Sequence, residues 1–363
     1  MKRYRYVICK YYLRIDLFAR FSGLKESLVS FLILLTVLRG AKAAEFQGLG
    51  PIAKSAFAGL SRLEGSYLPN STAPFFSVNI DGACSPTYIT NDGYFLLSLH
   101  CIIFCLRYGP DSFIPSGVLS SENILGIDVT RIDAAKAKKL YCPIRGATQE
   151  KKSGLRASVV SIGAPGFIYG EQYYQLSKNP ELFAKLNALG FNGIGGSGDF
   201  ALMKMEYQPT AETALTEYVS APGECLPVST EKAPLNTKVW SVTHPNLYRP
   251  NLKSAYRPLV SAGKVVSTHN NLQLTSVDAD GGSSGGSYFD SQGRIAGIVI
   301  ATSNPHSSYT YGSTLGIDIS HILAYLKKDL SEDTYKKVIS GCNMTPLTKS
   351  LIQEVTAVSD DDK

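Results

Sequence analysis

The chain has 363 residues, 44% hydrophobic and 18% charged, with a net charge of +6. That length and balance suit one or two packed domains and exclude a disordered or collagen-like polymer. Residues 1–44 hold nine Lys/Arg against two acidic residues, and taking their +7 from the total of +6 leaves −1 for the remainder. The excess positive charge therefore belongs to the first segment, and no nucleic-acid partner is expected for the rest.

Lys2, Arg3, Arg5, Lys10, Arg14, Arg20 and Lys25 precede the apolar run LVSFLILLTVL, Leu28 to Leu38. The run is too short for a comfortable membrane span. With Ala41, Ala43 and Ala44 behind it, residues 1–44 read as a secretory signal peptide. The expectation is a secreted or periplasmic protein with no stable membrane insertion after signal cleavage. Cys84, Cys101, Cys105, Cys142, Cys225 and Cys342 follow the leader, an even set that suits disulfide formation. No CxxC pair and no dense Cys/His cluster occurs, so neither a metal nor a cofactor is expected.

Residues 45–74 are interrupted by Gly59, Gly65, Pro69 and Pro74 and read either as a propeptide or as an N-terminal arm. From Phe75 the pattern becomes strand-like, with Phe76, Val78 and Ile80 alternating with polar positions. TYIT, the turn Asn91-Asp92-Gly93 and YFLLSLHCIIF predict a hairpin leading to a buried strand with His100 at its end. Taken alone, His100 reads equally well as a core histidine. Ile124–Asp133 and Leu155–Gly163 predict further strands, and the basic stretch KAKKLYCPIRGATQEKK between them a solvated loop. Asn179–Gly190 predicts a helix with Asn179 as N-cap, Pro180 in the first turn and Gly190 as stop. GIGGSGDFALMKM then brings the chain through a glycine loop to Asp199 and a strand over Phe200–Met205. By itself Asp199 reads either as a partly buried strand-end carboxylate that needs a cationic or hydrogen-donating partner or as a turn or cap aspartate. Gln208–Pro234 is rich in Pro, Thr, Ala and Glu and reads as a connection between halves.

The second half offers strands in KVWSVTHP, Gly263–Thr268, Asn271–Val277, Arg294–Thr302 and YTYGSTLGIDI. SHILAYLKKDL predicts an amphipathic C-terminal helix capped by Ser320, and residues 343–363 a polar tail. Short strands in two halves, with no βα repeat, predict an all-β fold of two small antiparallel barrels. The first would span 75–225 with an inserted helix, the second 226–342 with the C-terminal helix.

One stretch is out of keeping with regular structure. DADGGSSGGS, Asp278 to Ser287, is too glycine-rich for a helix or a central strand. Ahead of the apolar RIAGIVIATS it reads as a tight loop on a rigid edge, presenting a serine hydroxyl and aiming backbone N–H groups at one point. His100, Asp199 and Ser284 then have compatible jobs. A serine hydroxyl needs a base to take its proton, an imidazole serves near neutral pH, and a carboxylate fixes the imidazole's tautomer. The N–H groups of Gly282 and Ser284 would hold the developing oxyanion.

SLHC at Ser98–Cys101, GDFALMKM at Gly198–Met205 and GGSSGGS at Gly281–Ser287 resemble the three catalytic blocks of chymotrypsin-fold serine peptidases, in that family's order. Within it, KVWSVTHP and the serine loop are most similar to bacterial glutamyl endopeptidases and trypsin-like relatives. The resemblance covers roughly residues 75–330 and implies two six-stranded antiparallel β-barrels with a C-terminal helix. It implies a secreted serine endopeptidase, acting as a monomer on protein or peptide substrates through an acyl-enzyme. His100 would be the base, Asp199 its orienting carboxylate and Ser284 the nucleophile. It also implies a Cys84–Cys101 disulfide around the histidine loop. The remaining four cysteines have no assigned partners, although proximity would join Cys105 to Cys142 and Cys225 to Cys342.

The chain departs from the family at Ser283, where trypsin-like zymogens carry an aspartate that pairs with a new N-terminal amine. No switch of that kind is expected. In the substrate pocket, Asp278 stands where the resemblance implies a preference for Arg or Lys, with Ile300, Ala301 and Thr302 as one wall. His306 keeps a glutamyl preference open. Two competitors remain. GGSSG also fits the GxSxG elbow of an esterase, with Ser283 as nucleophile, but that class needs its acid and histidine after the serine. The other is a non-catalytic peptidase-fold protein that binds a partner or adheres to a surface.

Overall fold

Strands that leave one sheet side by side decide what this chain brings together. The computed structural model describes residues 74–75, 78–79, 83–109, 115–145, 152–168, 176, 179–193, 196–206, 223–243, 259–269, 271–279, 281–302 and 314–357. The expected signal peptide, the 45–74 arm except Pro74, and His306 lie outside the described residues.

In chain order the strands are β1 (Val78–Asn79), β2 (Ala83–Cys84), β3 (Thr87–Tyr88), β4 (Tyr94–Leu97), β5 (Leu119–Ile124), β6 (Ile127–Ile132), β7 (Tyr141–Arg145), β8 (Lys152–Ile162), β9 (Gly166–Ile168), β10 (Phe191–Gly193) and β11 (Ala201–Glu206) in the first half. The second half has β12 (Lys238–Thr243), β13 (Leu259–His269), β14 (Leu272–Thr275), β15 (Ser287–Phe289), β16 (Ile295–Thr302) and β17 (Thr314–Asp318). The helices are α1 (Ile103–Tyr108), α2 (Ala134–Ala137), α3 (Pro180–Ala188), α4 (Ile319–Asp329), α5 (Glu332–Ser340) and α6 (Pro346–Thr356).

The second half closes as expected. Strands β12-β13-β14-β17-β16-β15 form a six-stranded barrel. Tyr288 fills its interior, and a Cβ on Gly297 or Gly316 would stand 2.0 Å or 2.4 Å from that side chain, so both strands need glycine where the ring crosses. Tyr288 donates to Gln273 Oε1 at 2.7 Å, which satisfies a phenol that is fully buried.

The expectation of two six-stranded barrels is overturned in the first half. There the strands form an open seven-stranded sheet, β2-β1-β7-β8-β11-β4-β3, and a separate four-stranded sheet, β10-β9-β6-β5. Closure fails because β5 and β6 pair with each other as a hairpin, Leu119↔Ile132 to Ile124↔Ile127, instead of joining the larger sheet. This second sheet has its own small core of Val129, Ile168, Leu176, Leu186 and Phe191, to which α3 contributes. Asn179 accepts from the Leu182 N–H and Gly190 adopts φ +84°, so the helix starts and stops where its sequence signals stand.

Strands β4 and β11 are buried on both faces. Leu96 and Leu202 face the core shared with the barrel, whereas Phe95, Leu97, Ala201 and Met203 face the first-half core. That accounts for the unbroken apolar runs YFLL and ALM, which carry no alternation.

Four local expectations are corrected. The β4 strand stops at Leu97, and His100 sits on a 3-10 turn, Leu99–Ile102, that runs into α1. The basic stretch expected to be a loop contains β7, because Cys142 is buried and bonded to Cys105. The cap of α4 is Asp318, whose carboxylate accepts from the Ser320 N–H at 2.8 Å and the Ser320 hydroxyl at 2.7 Å. The expected polar tail contains α6, which buries Leu351, Ile352 and Val355 in the shared core. A Cys225–Cys342 disulfide ties this end of the chain to the segment before the barrel, and Glu224 accepts from the Thr345 and Thr348 hydroxyls at the start of α6.

Candidate active site

Antiparallel pairing of β4 with β11 opposes Leu97 to Ala201. His100 lies just past the end of one strand and Asp199 just before the start of the other, so residues distant in sequence leave the sheet at one place. The Asp199 carboxylate is buried, and a buried charge requires partners for its oxygens. His100 supplies one for each. Its ring Nδ1 lies 2.8 Å from Asp199 Oδ2, and its backbone N–H donates to Asp199 Oδ1 at 3.0 Å. That backbone N–H belongs to the opening of a 3-10 turn, where main-chain donors lack partners within the turn. A carboxylate only accepts, so Nδ1 carries the hydrogen and Nε2 presents its lone pair. The ring stays partly accessible, with 23% of the side chain exposed against 3% for Asp199. His100 is therefore not a core histidine.

The serine loop approaches from the other half. Ser85 donates its N–H to the Ser284 carbonyl at 2.9 Å and its hydroxyl to the Gly282 carbonyl at 2.7 Å. Ser85 follows Cys84, Cys84 is bonded to Cys101, and Cys101 follows His100. A short covalent and hydrogen-bonded path thus links the loop to the histidine. Gly285 donates to the Val299 carbonyl at 2.7 Å, and the Ser98 hydroxyl donates to that same carbonyl at 3.0 Å. Strand β16 consequently holds both the loop and the turn that leads to His100.

Within the loop the two serines differ. Ser283 is fully buried and donates to Thr243 Oγ1 at 3.0 Å, whereas Ser284 keeps partial exposure. A hydroxyl with no access cannot meet a substrate, and the strand that follows the loop, β15, pairs antiparallel with both its neighbours, so the esterase elbow on Ser283 is set aside. Among the described residues no hydrogen bond joins Ser284 Oγ to His100 Nε2, and neither atom has another partner. The N–H groups of Gly282 and Ser284 likewise have no acceptor among the described residues.

The expected pocket residues are split. The Thr314 hydroxyl donates to the Val277 carbonyl at 2.6 Å, and Thr314 pairs with Thr302 across β16 and β17. This brings the Asp278 segment to the same end of the barrel as Ala301 and Thr302. Asp278 is half-buried, and its N–H donates to Ser261 Oγ at 2.8 Å. Ile300 instead packs into the shared core beside residues such as Trp240 and Phe289, so its side chain is no part of an open wall. Ser85 was not legible as a site residue, because a serine next to a cysteine in strand sequence carries no motif. Ser98 and Thr243 stand in the SLHC and KVWSVTHP stretches, where pattern alone gave them no role.

No family model and no curated protein matches this chain. Among solved structures, a serine endoprotease from Yersinia pestis aligns over 76% of this chain and 67% of its own, at 13% identity and a TM-score of 0.36. Neuropsin, a serine protease expressed in the limbic system of mouse brain, aligns over 72% of this chain and 96% of its own, at 14% identity and a TM-score of 0.37. The chain is similar to serine proteases. At such scores the likeness carries no argument, and the chemistry rests on the residues of this chain. Among the described residues no group of three or more His, Cys, Asp or Glu side chains is arranged to hold a metal ion, and no helix is long and apolar enough to cross a membrane.

Proposed function

We propose that this protein is an exported serine endopeptidase in which Ser284 is the nucleophile, His100 the general base and Asp199 the carboxylate that orients it. The observation that carries the reading is the double engagement of Asp199 by His100, at the place where Ser85 and Val299 anchor the 282–285 loop. A buried carboxylate that fixes one ring nitrogen and leaves the other without a partner among the described residues, on a partly exposed ring, is the arrangement a base needs.

In the proposed reaction Ser284 Oγ attacks the carbonyl carbon of the scissile bond, and its proton passes to His100 Nε2. The carbonyl oxygen takes up negative charge opposite the N–H groups of Gly282 and Ser284. The C–N bond then breaks as Nε2 returns the proton to the leaving amine. Water, deprotonated by the same nitrogen, attacks the acyl-enzyme, and Ser284 leaves with the proton. The hydrogen bond between Ser284 and His100 forms by side-chain rotation on substrate binding, since catalytic contacts in free enzymes are often long and tighten in the complex. Asp278 would favour Arg or Lys before the cleaved bond, which cleavage-site profiling on a peptide library tests directly. Three disulfides suit a secreted or periplasmic location.

The unformed Ser284–His100 contact favours one competitor, a non-catalytic binding protein. A fluorophosphonate probe separates the two readings. Labelling of the wild type that is lost in Ser284→Ala supports the peptidase. A folded wild type that resists the probe supports the binding protein, and labelling that survives Ser284→Ala removes Ser284 as nucleophile.

A further inference from the structure

The turn that carries Asp199 is soft by composition. Gly196 and Gly198 flank Ser197, and the turn's internal bonds are Asp199 N–H to the Gly196 carbonyl at 3.0 Å and Phe200 N–H to the Gly198 carbonyl at 2.8 Å. Glycines leave such a segment many alternative conformations, whereas a carboxylate that must meet both the ring and the backbone of His100 tolerates little displacement. One restraint comes from the same half, where the Gly163 N–H donates to the Phe200 carbonyl at 2.8 Å; another comes from the barrel half. Residues 321, 325 and 329 recur at four-residue intervals along α4 and so share one helix face.

His321 donates a ring N–H to the Ser197 carbonyl, and its ring stands edge-on to Phe200, with centroids 6.5 Å apart at 83°. One turn later Tyr325 meets the same ring at 5.4 Å and 90°. A further turn on, the Asp329 carboxylate accepts from Ser161 Oγ at 2.6 Å and Lys138 Nζ at 2.8 Å. The helix is held at its start by Asp318, which also accepts from Gln273 inside the barrel at 3.2 Å.

We propose that His321 is a positioning residue that holds the 196–200 turn from the barrel side and thereby aligns Asp199 with His100. Its catalytic consequence rests on the serine-peptidase reading, but the alignment itself does not. The half that carries Ser284 thus also sets the carboxylate on the opposite half, and the single helix α4 maintains both in register. Burial holds the His321 ring below the ordinary histidine range, so near neutral pH it is uncharged and serves as a plain hydrogen-bond donor.

The test compares His321→Met, which removes the N–H at similar length, with His321→Gln, which retains a donor. His321→Phe replaces Met if the latter does not fold, because it preserves the ring edge over Phe200. The first readout is the low-field proton resonance of His100 Nδ1–H, in protein labelled with nitrogen-15 histidine. The second is the separation of kcat from KM on a cleaved peptide. The variant without a donor is expected to shift or broaden the resonance and lower kcat about 10- to 100-fold with KM nearly unchanged, while Gln restores both. An unchanged resonance in a folded donor-less variant overturns the proposal. If the wild type neither labels nor cleaves, the peptidase reading fails, and the resonance alone still decides the role of His321.

Discussion

Gly285 lies so close to Leu97 that a Cβ at its position would stand 2.8 Å from the leucine Cδ1 and 3.0 Å from the Ser98 nitrogen. Gly285 also has φ +79°, a region unfavourable to residues with a side chain. The close contact seats the serine loop on the exit of β4. Gly285→Ala is therefore expected to lose about 1–2 kcal/mol through backbone strain and about 1–3 kcal/mol through overpacking. Urea unfolding measures the loss. Fluorophosphonate labelling should slow in parallel, because Ser284 moves with its neighbour. A variant of wild-type stability and labelling rate would show that the contact is not needed.

Asp199→Asn tests the division of labour at the histidine. An amide can still accept at one atom, but its NH₂ group cannot accept the second His100 hydrogen bond, and it favours the wrong ring tautomer. Turnover is expected to fall by roughly 10⁴-fold with the fold retained. Circular dichroism and kcat measured on the same preparation check both halves of that statement.

His321 gives a stability change with a definite sign. Burial lowers its pKa from the ordinary 6.5, with the Ser197 carbonyl and Asp318 acting in the opposite direction. The folded protein therefore binds this proton less readily than the unfolded chain. Its contribution is complete above about pH 6.5 and is lost as the pH falls through the folded value. The difference in urea midpoint between wild type and His321→Gln should move against the wild type across that window. A difference that stays constant with pH would show that the ring does not titrate differently in the two states.

The Cys225–Cys342 bridge closes a loop of 117 residues and holds α6 against the core. Replacing both cysteines with serine is expected to cost about 2–5 kcal/mol. Limited proteolysis should cut first near the start of α6, where Glu224 would hold Thr345 and Thr348 without the covalent tie. Cleavage elsewhere at an unchanged rate would assign the helix's anchorage to its apolar contacts alone.

The residues of the candidate site were legible because their chemistry demands particular types in particular settings. A glycine-framed serine, a histidine beside a cysteine and an aspartate ahead of an apolar strand each carry local information. The closed barrel was legible as well, since its strands follow one another with pattern enough to count. The first half was not, because strand-like pattern says that a segment pairs but not with which edge. Likewise, β4 and β11 bury both faces and display no alternation from which to read an orientation.

Local pattern thus determined which groups could react and roughly where strands run. Tertiary structure decided that Ser283 is buried while Ser284 is partly exposed, that β5 and β6 join β9 and β10 in a separate sheet, and that α4 packs against Phe200 at the turn before β11. Each of those outcomes depends on contacts between residues far apart in the chain, and the free energy of such contacts is set by packing that no single stretch contains.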